Sequence, residues 1–417
     1  MGVGLVGYGL AALRRPAGTD DVARPNILLV TLCSVRADHL GAWGYEEADT
    51  PALDRLALEG TVFENAWSSA TFTLPSHATI LTGRWPLKAG VLASTDHLPD
   101  DVPTLPEVLR HYGYRTLAWA PIASAASFRV GEGLDRGFDQ FVEGERGGVE
   151  ALAGTEPWFA LVHFKEAHPP YSVKMSDMDP RFREWDTRRR SEALAADRWF
   201  VEQLADEDLR RQVVAAYDHG VSLEDARIAA LLKHVDPADT VVVVAGDHGQ
   251  ALGERGKVGH QGVVLPEVLH VPLIVRAPGE TRRRVAADVG LVDVAPTLWE
   301  LAGAVPPAGL DGRSLVPFLR GETLPARAVL VQAETPDRAP WAGLQEIVVS
   351  GPLWLRYAHQ SGFSEVWRRD GDAWSVVDED PAPLLAEREA LSGGVDARTG
   401  RVATEGEREA LRKEGYW

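Results

Sequence analysis

The sequence predicts an α/β fold on a mostly parallel central sheet flanked by helices, with a smaller strand-rich subdomain near the C-terminus. Three observations carry this. Several segments are continuous apolar runs, as strands covered on both faces require. Segments of helical period lie between them. From about residue 325 short strand-like pieces alternate with polar turns.

Residues 14–24 read as a polar linker containing Pro16 and Gly18. Ile27 to Leu32 is the first buried strand, rich in β-branched and aliphatic residues. Thr50-Pro51 opens a helix in which Leu53, Leu56 and Ala57 recur at helical spacing; Glu59-Gly60 with Phe63 join that helix only through the family resemblance given below. A helix starts around Ser76 to Leu81, after Pro75. Leu105 to Leu109 is helical, and Gly113 to Ala118 is a strand. Trp158 to His163 is a third buried strand, ending in a histidine. The charged stretch from about 175 to 235 has helical period, and Val221 to Lys233 is amphipathic. Thr240 to Ala245 is the clearest buried strand and stops at Gly246-Asp247-His248-Gly249. Val271 to Val275 is a short strand, Asp293 to Leu301 a helix. Ala328 to Gln332, Ile347 to Ser350 and Leu353 to Tyr357 are the late strands. The expected division is a tail over 1–24, a main domain over 25–325, and a subdomain with its tail over 326–417.

The 417 residues carry a net charge of −18 and 45% hydrophobic side chains, so a sizeable core can form. An acidic surface argues against nucleic acid as a partner, and against adhesion to anionic lipid by charge alone. The single cysteine, Cys33, excludes an intramolecular disulfide framework and a Cys-rich zinc site. Residues 1–13 are apolar but shorter than the roughly 18 to 20 residues that span a bilayer. Two readings stand: a frayed terminus in a cytoplasmic protein, or the remnant of a signal or anchor in an extracytoplasmic one, weakly associated with a membrane.

Ligands of open α/β sheets bind at the carboxyl ends of strands. Four polar clusters fall at such ends: Cys33-Ser34, Thr73 with Ser76-His77, His163 to His168, and Asp247-His248 with His260. Carboxylate and imidazole together are metal ligands. The Gly-rich stretch from Gly253 to Gly262 can fold back over a site. Any one cluster alone has a plain alternative, such as an Asp turn bonding its own backbone. Four clusters at four strand ends point to a site.

The motifs then resemble a known family. Arg24-Pro25-Asn26 with the first strand, Thr73-Leu74-Pro75-Ser76-His77-Ala78-Thr79, His163 with His168-Pro169-Pro170-Tyr171, Gly246-Asp247-His248-Gly249, Leu252-Gly253-Glu254, Gly259-His260 and Asp311-Gly312-Arg313-Ser314 follow one another as in the sulfatase-like branch of the alkaline phosphatase superfamily. The resemblance implies an alkaline phosphatase-like sheet and a hydrolase, or transferase, of phosphate, phosphonate or sulfate esters. It implies one divalent metal ion and a small anionic ester substrate. It places the nucleophile at Thr73, itself beside the metal, and metal ligands at Asp247 and His248. His260 stands where relatives have a His or Lys on the transferring group. His163 and His168 would bind substrate oxygens or protonate the leaving group. His77 would meet the substrate, standing where formylglycine sulfatases have an arginine. Lys257, in the loop before His260, is a further substrate candidate, although charged loop tips are usually solvated.

Three departures qualify the resemblance. Threonine cannot become formylglycine, so Thr73-Leu74-Pro75-Ser76-His77 cannot mature in the usual sulfatase way, which favours phosphorus esters. Relatives have a metal-binding aspartate where this chain has Cys33. A thiolate there suits Zn²⁺ and suits Mg²⁺, Ca²⁺ or Mn²⁺ poorly. Gln250 and Arg255 replace a Glu and a His beside the Asp-His-Gly segment. The alternative function is a catalytically impaired relative that binds an anionic ligand. A two-metal phosphatase is a third reading, with an incomplete ligand set. Arg36 is expected to pair with Asp38 or a nearby carboxylate in a structural role. Substrate and oligomeric state are not read from the sequence.

Overall fold

Strand β1 (Asn26–Leu32) shows why its sequence is almost entirely apolar. Ile27 and Leu29 enter one hydrophobic core, and Leu28, Val30 and Leu32 enter another on the opposite face. Side chains of a strand alternate faces, so a strand inside a two-sided layer has no solvent-facing position. The structure is a computed structural model and describes residues 24–93, 96–120, 133–143, 152, 154, 156–335, 343–371, 373–392 and 401–402. The N-terminal tail and the charged end of the chain lie outside them.

The main sheet adds β2 (Thr61–Trp67), β3 (Arg115–Ala120), β4 (Gln140–Glu143), β5 (Trp158–Phe164) and β6 (Thr240–Gly246). A small ribbon, β7 (Ala251–Leu252) with β8 (Val258–Gly259), follows β6. The main sheet is completed by β9 (His270–Val271), β10 (Leu273–Arg276) and β11 (Arg283–Gly290). Its order is β11-β2-β10-β6-β1-β5-β3-β4, with β9 on β2. Pairings β6-β1, β1-β5, β5-β3, β3-β4 and β11-β2 are parallel, and β10 is antiparallel to β6 and β2. Helices Thr73–Thr82, Leu105–His111 and Val294–Leu301 cover one face, and Pro51–Glu59, Pro180–Gln203 and Glu207–Leu232 the other.

The late strands form a separate antiparallel sheet: β12 (Val329–Thr335), β13 (Gly343–Ser350), β14 (Leu353–Ala358), β15 (Phe363–Asp370) and β16 (Ala373–Val377) in sequence order. Strand β17 (Arg401–Val402) pairs with β15. The helix Ala382–Ser392 packs on this sheet. The expected α/β class with its strand-rich second sheet is the observed one.

Two expectations need correction and a third gains detail. Phe63 is not on the first helix: Gly60 caps that helix and Phe63 lies in β2. A Cβ on Gly60 would stand 2.6 Å from the Val275 carbonyl oxygen, so the chain can pass β10 there only as glycine. The run Val271–Val275 is two strands, because Pro272 has no N–H to continue one ladder. The helical period of the charged 175–235 stretch is borne out as two helices, separated at Leu204–Asp206, where the Asp206 side chain accepts from the N–H groups of Asp208 and Leu209 and starts the second.

Candidate active site

Three adjacent parallel strands end together. β1 lies between β6 and β5, with Thr31 opposite Ala245 on one side and His163 on the other. The next residues out are Cys33 after β1 and Asp247 after β6. Register alone therefore gathers Cys33, His163 and Asp247, whose ligand atoms lie within 4.8 Å of one another, all buried. Ser34, with φ of 65°, turns the chain so that its N–H donates to Asp247 Oδ1 at 3.2 Å. A non-glycine residue held in that left-handed region costs about 1–3 kcal/mol, a strain typical of functional turns. Tyr217 braces the turn, donating to the Ser34 carbonyl at 2.8 Å and accepting from Arg36 N–H.

The helix Thr73–Thr82 brings the hydroxyl of its first residue to this cluster. Thr73 Oγ1 is 3.2 Å from His248 Nε2 and 3.7 Å from Cys33 Sγ. Ser68 and Ser76 both donate to the Asp247 carbonyl, which ties the preceding loop and the helix to β6.

The hydrogen bonds assign the tautomers. His248 Nδ1 faces the Gly249 carbonyl at 2.9 Å, so it carries the proton, and Nε2 accepts from the Thr73 hydroxyl. His77 Nδ1 faces the Thr73 carbonyl at 2.9 Å and is likewise the donor. His77 Nε2 then accepts from the Thr31 hydroxyl at 2.9 Å, and Thr31 Oγ1 accepts from His163 Nδ1 at 2.9 Å. His163 Nε2 is thereby the unprotonated nitrogen, as a metal ligand needs. His168 and His260 each present Nδ1 to a carbonyl, of Pro169 and Thr71, at 2.8 Å. Their Nε2 atoms face each other at 3.3 Å. Two lone pairs repel there unless one nitrogen is protonated or a donor lies between them, so this pair is built to take a proton or a hydrogen-bonding ligand.

Electrostatics separate the parts. Burial, against Coulomb help from Asp247, pushes His163 down to about 3, and burial with the Arg189 charge pushes His168 down to about 4. Burial and the His248 charge also press His260 down. Burial followed by Asp247 raises the Cys33 thiol well above its ordinary value. Burial works to raise Asp247 as well, but His248, His163 and His77 hold its carboxyl below its ordinary value. Glu224, fully buried nearby, is pushed up by burial and by Glu166.

Asp247 also shows that a cation fits. Its Oδ1 accepts from two backbone N–H groups, of Ser34 and His248. Its Oδ2 is buried with no hydrogen-bond partner among the described residues, 3.7 Å from His248 Nε2 and 3.9 Å from His77 Nδ1. A buried anionic oxygen without a partner costs about 1–3 kcal/mol or more. A thiol, an imidazole and this oxygen converging in one buried place form a donor set for a divalent ion.

The structure thus groups Cys33, Thr73, His77, His163, Asp247 and His248 at the cluster, with His168 and His260 beside it. His77 is fully buried with both ring nitrogens engaged, below the nucleophile. Lys257 lies in the turn of the β7–β8 ribbon, partly exposed, its carbonyl accepting from Gly253 N–H. Arg36 forks onto Asp38 and reaches Glu254 at 2.6 Å, a buried brace for the ribbon. Gln250 meets the Tyr171 hydroxyl and Arg255 meets Glu267, both away from the cluster. Thr31, Ser68 and Tyr217 were missed from sequence. Thr31 carried a signal: it is the only hydroxyl in an otherwise apolar strand.

A model of the family described as Sulfatase matches residues 25–150 and 148–304. The chain belongs to the sulfatase family. A Delta 4,5-hexuronate-2-O-sulfatase of Bacteroides thetaiotaomicron is 24% identical, over 88% of each chain. A solved 2-O GAG sulfatase superposes with a TM-score of 0.71 at 21% identity, covering 90% of this chain and 92% of that one. A phosphonate monoester hydrolase from Silicibacter pomeroyi superposes with a TM-score of 0.69 at 21% identity, covering 90% and 96%. The sulfatase fold therefore extends over the described strands, and the buried cluster lies inside the segment that the family model covers.

Proposed function

We propose that the chain is a metal-dependent hydrolase of sulfate, phosphate or phosphonate esters in which unmodified Thr73 is the nucleophile. The observation that carries this is the position of Thr73 Oγ1: 3.2 Å from an unprotonated imidazole nitrogen and beside the buried cluster of Cys33, His163 and Asp247. Those three residues, with His248, would hold the metal ion. When bound, the ion lowers the hydroxyl's pKa and neutralises charge on the transferred group. The thiolate of Cys33 favours Zn²⁺ over Mg²⁺, Ca²⁺ or Mn²⁺.

The protein's own groups supply the rest. The Thr73 oxygen forms the new bond to sulfur or phosphorus while the bond to the leaving oxygen breaks. A proton taken up between His168 Nε2 and His260 Nε2 goes to that oxygen, and the proton released from Thr73 recharges the pair. Water then displaces Thr73 from the ester intermediate: its oxygen joins sulfur or phosphorus and one of its protons restores the hydroxyl. Thr31 and His77 fix the rings around the site, so little reorganisation is needed.

The test is turnover of an aryl ester panel with added Zn²⁺, against Thr73→Ala. We expect at least about a 1,000-fold loss of kcat in Thr73→Ala, with metal content retained. A wild type that binds no divalent ion and turns over no ester overturns the reading. The second reading, an impaired relative holding an anion, is favoured by one observation: burial and Asp247 keep the Cys33 thiol protonated in the metal-free state. It predicts that Cys33→Asp gains metal affinity and turnover. Robust wild-type turnover that vanishes in Cys33→Ala overturns it.

A further inference from the structure

Glu224 is a fully buried carboxyl for which the ester chemistry above has no task. It stands on the helix Glu207–Leu232, and its Oε1 accepts from the Ala167 N–H at 2.9 Å. Its Oε2 has no hydrogen-bond partner among the described residues. Ala167 belongs to the turn after β5 that presents His168. Neighbours on the same helix meet that turn as well. A Cβ on Gly220 would stand 2.4 Å from the Glu166 carbonyl oxygen, so glycine lets the turn lie against the helix there. Arg227 Nε reaches Glu166 Oε1 at 2.8 Å, and Glu166 Oε2 accepts from the Lys165 N–H at 3.1 Å. Tyr217, which braces the Ser34 turn, also meets the Tyr171 ring edge-on, with centres 5.9 Å apart. Tyr217, Gly220, Glu224 and Arg227 recur at helical spacing, so one face of the helix carries all four.

The segment beyond His168 needs such a hold. Tyr171 and Ser172 have φ of 61° and 54°, two consecutive side-chain-bearing residues in the left-handed region. That conformation persists only where the surroundings impose it. The His168 N–H donates to the Lys165 carbonyl at 3.1 Å and the Tyr171 N–H to the His168 carbonyl at 2.8 Å, so a shift at Ala167 is carried to both. We infer that Glu224 is a positioning residue: through Ala167 it fixes the turn that sets His168 Nε2 against His260 Nε2. This rests on the hydrolase reading above, in which that pair hands a proton to the leaving oxygen. Burial and the Glu166 charge push the Glu224 carboxyl up, so an uncharged side chain with the same oxygen can replace it.

The test compares kcat/KM of the metal-loaded protein for the phenyl and para-nitrophenyl esters of whichever acid is turned over. The phenyl leaving oxygen needs a proton and the nitrophenyl one does not. Glu224→Leu keeps the bulk and removes the acceptor. It is expected to lower kcat/KM about 10- to 100-fold for the phenyl ester and less than about threefold for the nitrophenyl ester, with metal content unchanged. Glu224→Gln keeps the acceptor and is expected to stay within about threefold of wild type on both. A merely structural Glu224 would lower both esters alike. Equal losses, no loss, or a Gln variant as impaired as Leu overturn the inference. If Glu224→Leu does not fold, Gly220→Ala, which pushes the Glu166 carbonyl off the helix, replaces it with the same expected signature. If the wild type turns over neither ester, the hydrolase reading fails instead. Amide hydrogen exchange of Ala167 and His168 then decides the inference. Glu224→Leu should speed it about tenfold or more and Glu224→Gln should not, and equal exchange in wild type and Glu224→Leu overturns it.

Discussion

Two buried carboxylates in this molecule are treated in opposite ways. Glu346, in the C-terminal sheet, has every oxygen satisfied. Its Oε1 accepts from Gln332 Nε2 at 2.7 Å, and its Oε2 from His359 Nε2 at 2.8 Å and Arg388 Nη1 at 3.0 Å. Asp247, just past the end of β6 in the main sheet, has one oxygen satisfied by backbone and the other, among the described residues, by nothing. Both side chains are fully buried. A buried charge persists only with partners. The Glu346 partners are all present in the chain, so that network is architecture. Among the described residues nothing partners the second Asp247 oxygen, which leaves that site open to a cation. The two carboxylates therefore differ in whether both of their own oxygens are partnered among the described residues.

The largest expected effect tests the architectural half. Glu346→Gln turns an acceptor into a donor facing Arg388 and His359, and strands a guanidinium that is 2% exposed. Removing one partner of a buried ion pair costs about 3–5 kcal/mol. Urea titration should show that loss, with metal binding unchanged in the protein that remains folded. A loss below about 1 kcal/mol would mean that the C-terminal network is no better satisfied than the cluster.

Asp247→Asn tests the other half. Asparagine keeps an oxygen for the Ser34 and His248 N–H groups and removes only the unsatisfied charge. Metal-free stability should stay within about 1 kcal/mol of wild type or rise. Affinity for Zn²⁺ should fall by more than about 100-fold, beyond the effect of an outer-shell partner. Equilibrium dialysis with metal analysis reads the second quantity and thermal melting in chelator the first. A variant as unstable as Glu346→Gln would show that the two sites are built alike.

The sequence carried these two regions unequally. β1, β5 and β6 were legible because two-sided burial leaves a continuous apolar run, and the Asp247-His248 pair was legible because such a run stops there. β2 was not, because Glu64 and Asn65 interrupt its apolar pattern and Gly60 before it reads as a helix end. β11 carries Arg283 and Arg284 and alternates as an edge strand, which hides it in a charged loop. Within the site, single residues at strand ends could be named from sequence, but their relations could not. Thr31 joins His77 to His163 only because a helix and two strands converge, and Arg189 stands near His260, 71 positions later in the chain, only because the ribbon that leads into His260 returns to the helix Pro180–Gln203. The Glu346 network was invisible for the same reason: Gln332, His359 and Arg388 come from three different elements.

The smallest effect sharpens the comparison through pH. Burial works to raise the Glu346 carboxyl, but the His359 and Gln332 hydrogen bonds and the Arg388 charge hold it below its ordinary value. A carboxyl with a depressed native pKa contributes stability that is fully present above the unfolded value of about 4.3. That contribution is lost as pH falls through the native value, because the unfolded chain takes up its proton first. Glu346→Gln has no such group to protonate. The stability gap between wild type and variant, measured by urea titration in chelator, should therefore be constant from about pH 7 to about pH 5 and narrow below about pH 4.3. A gap that stays constant well below about pH 4.3 would show that the ionised carboxylate is not what holds the network, and the contrast with Asp247 would fail.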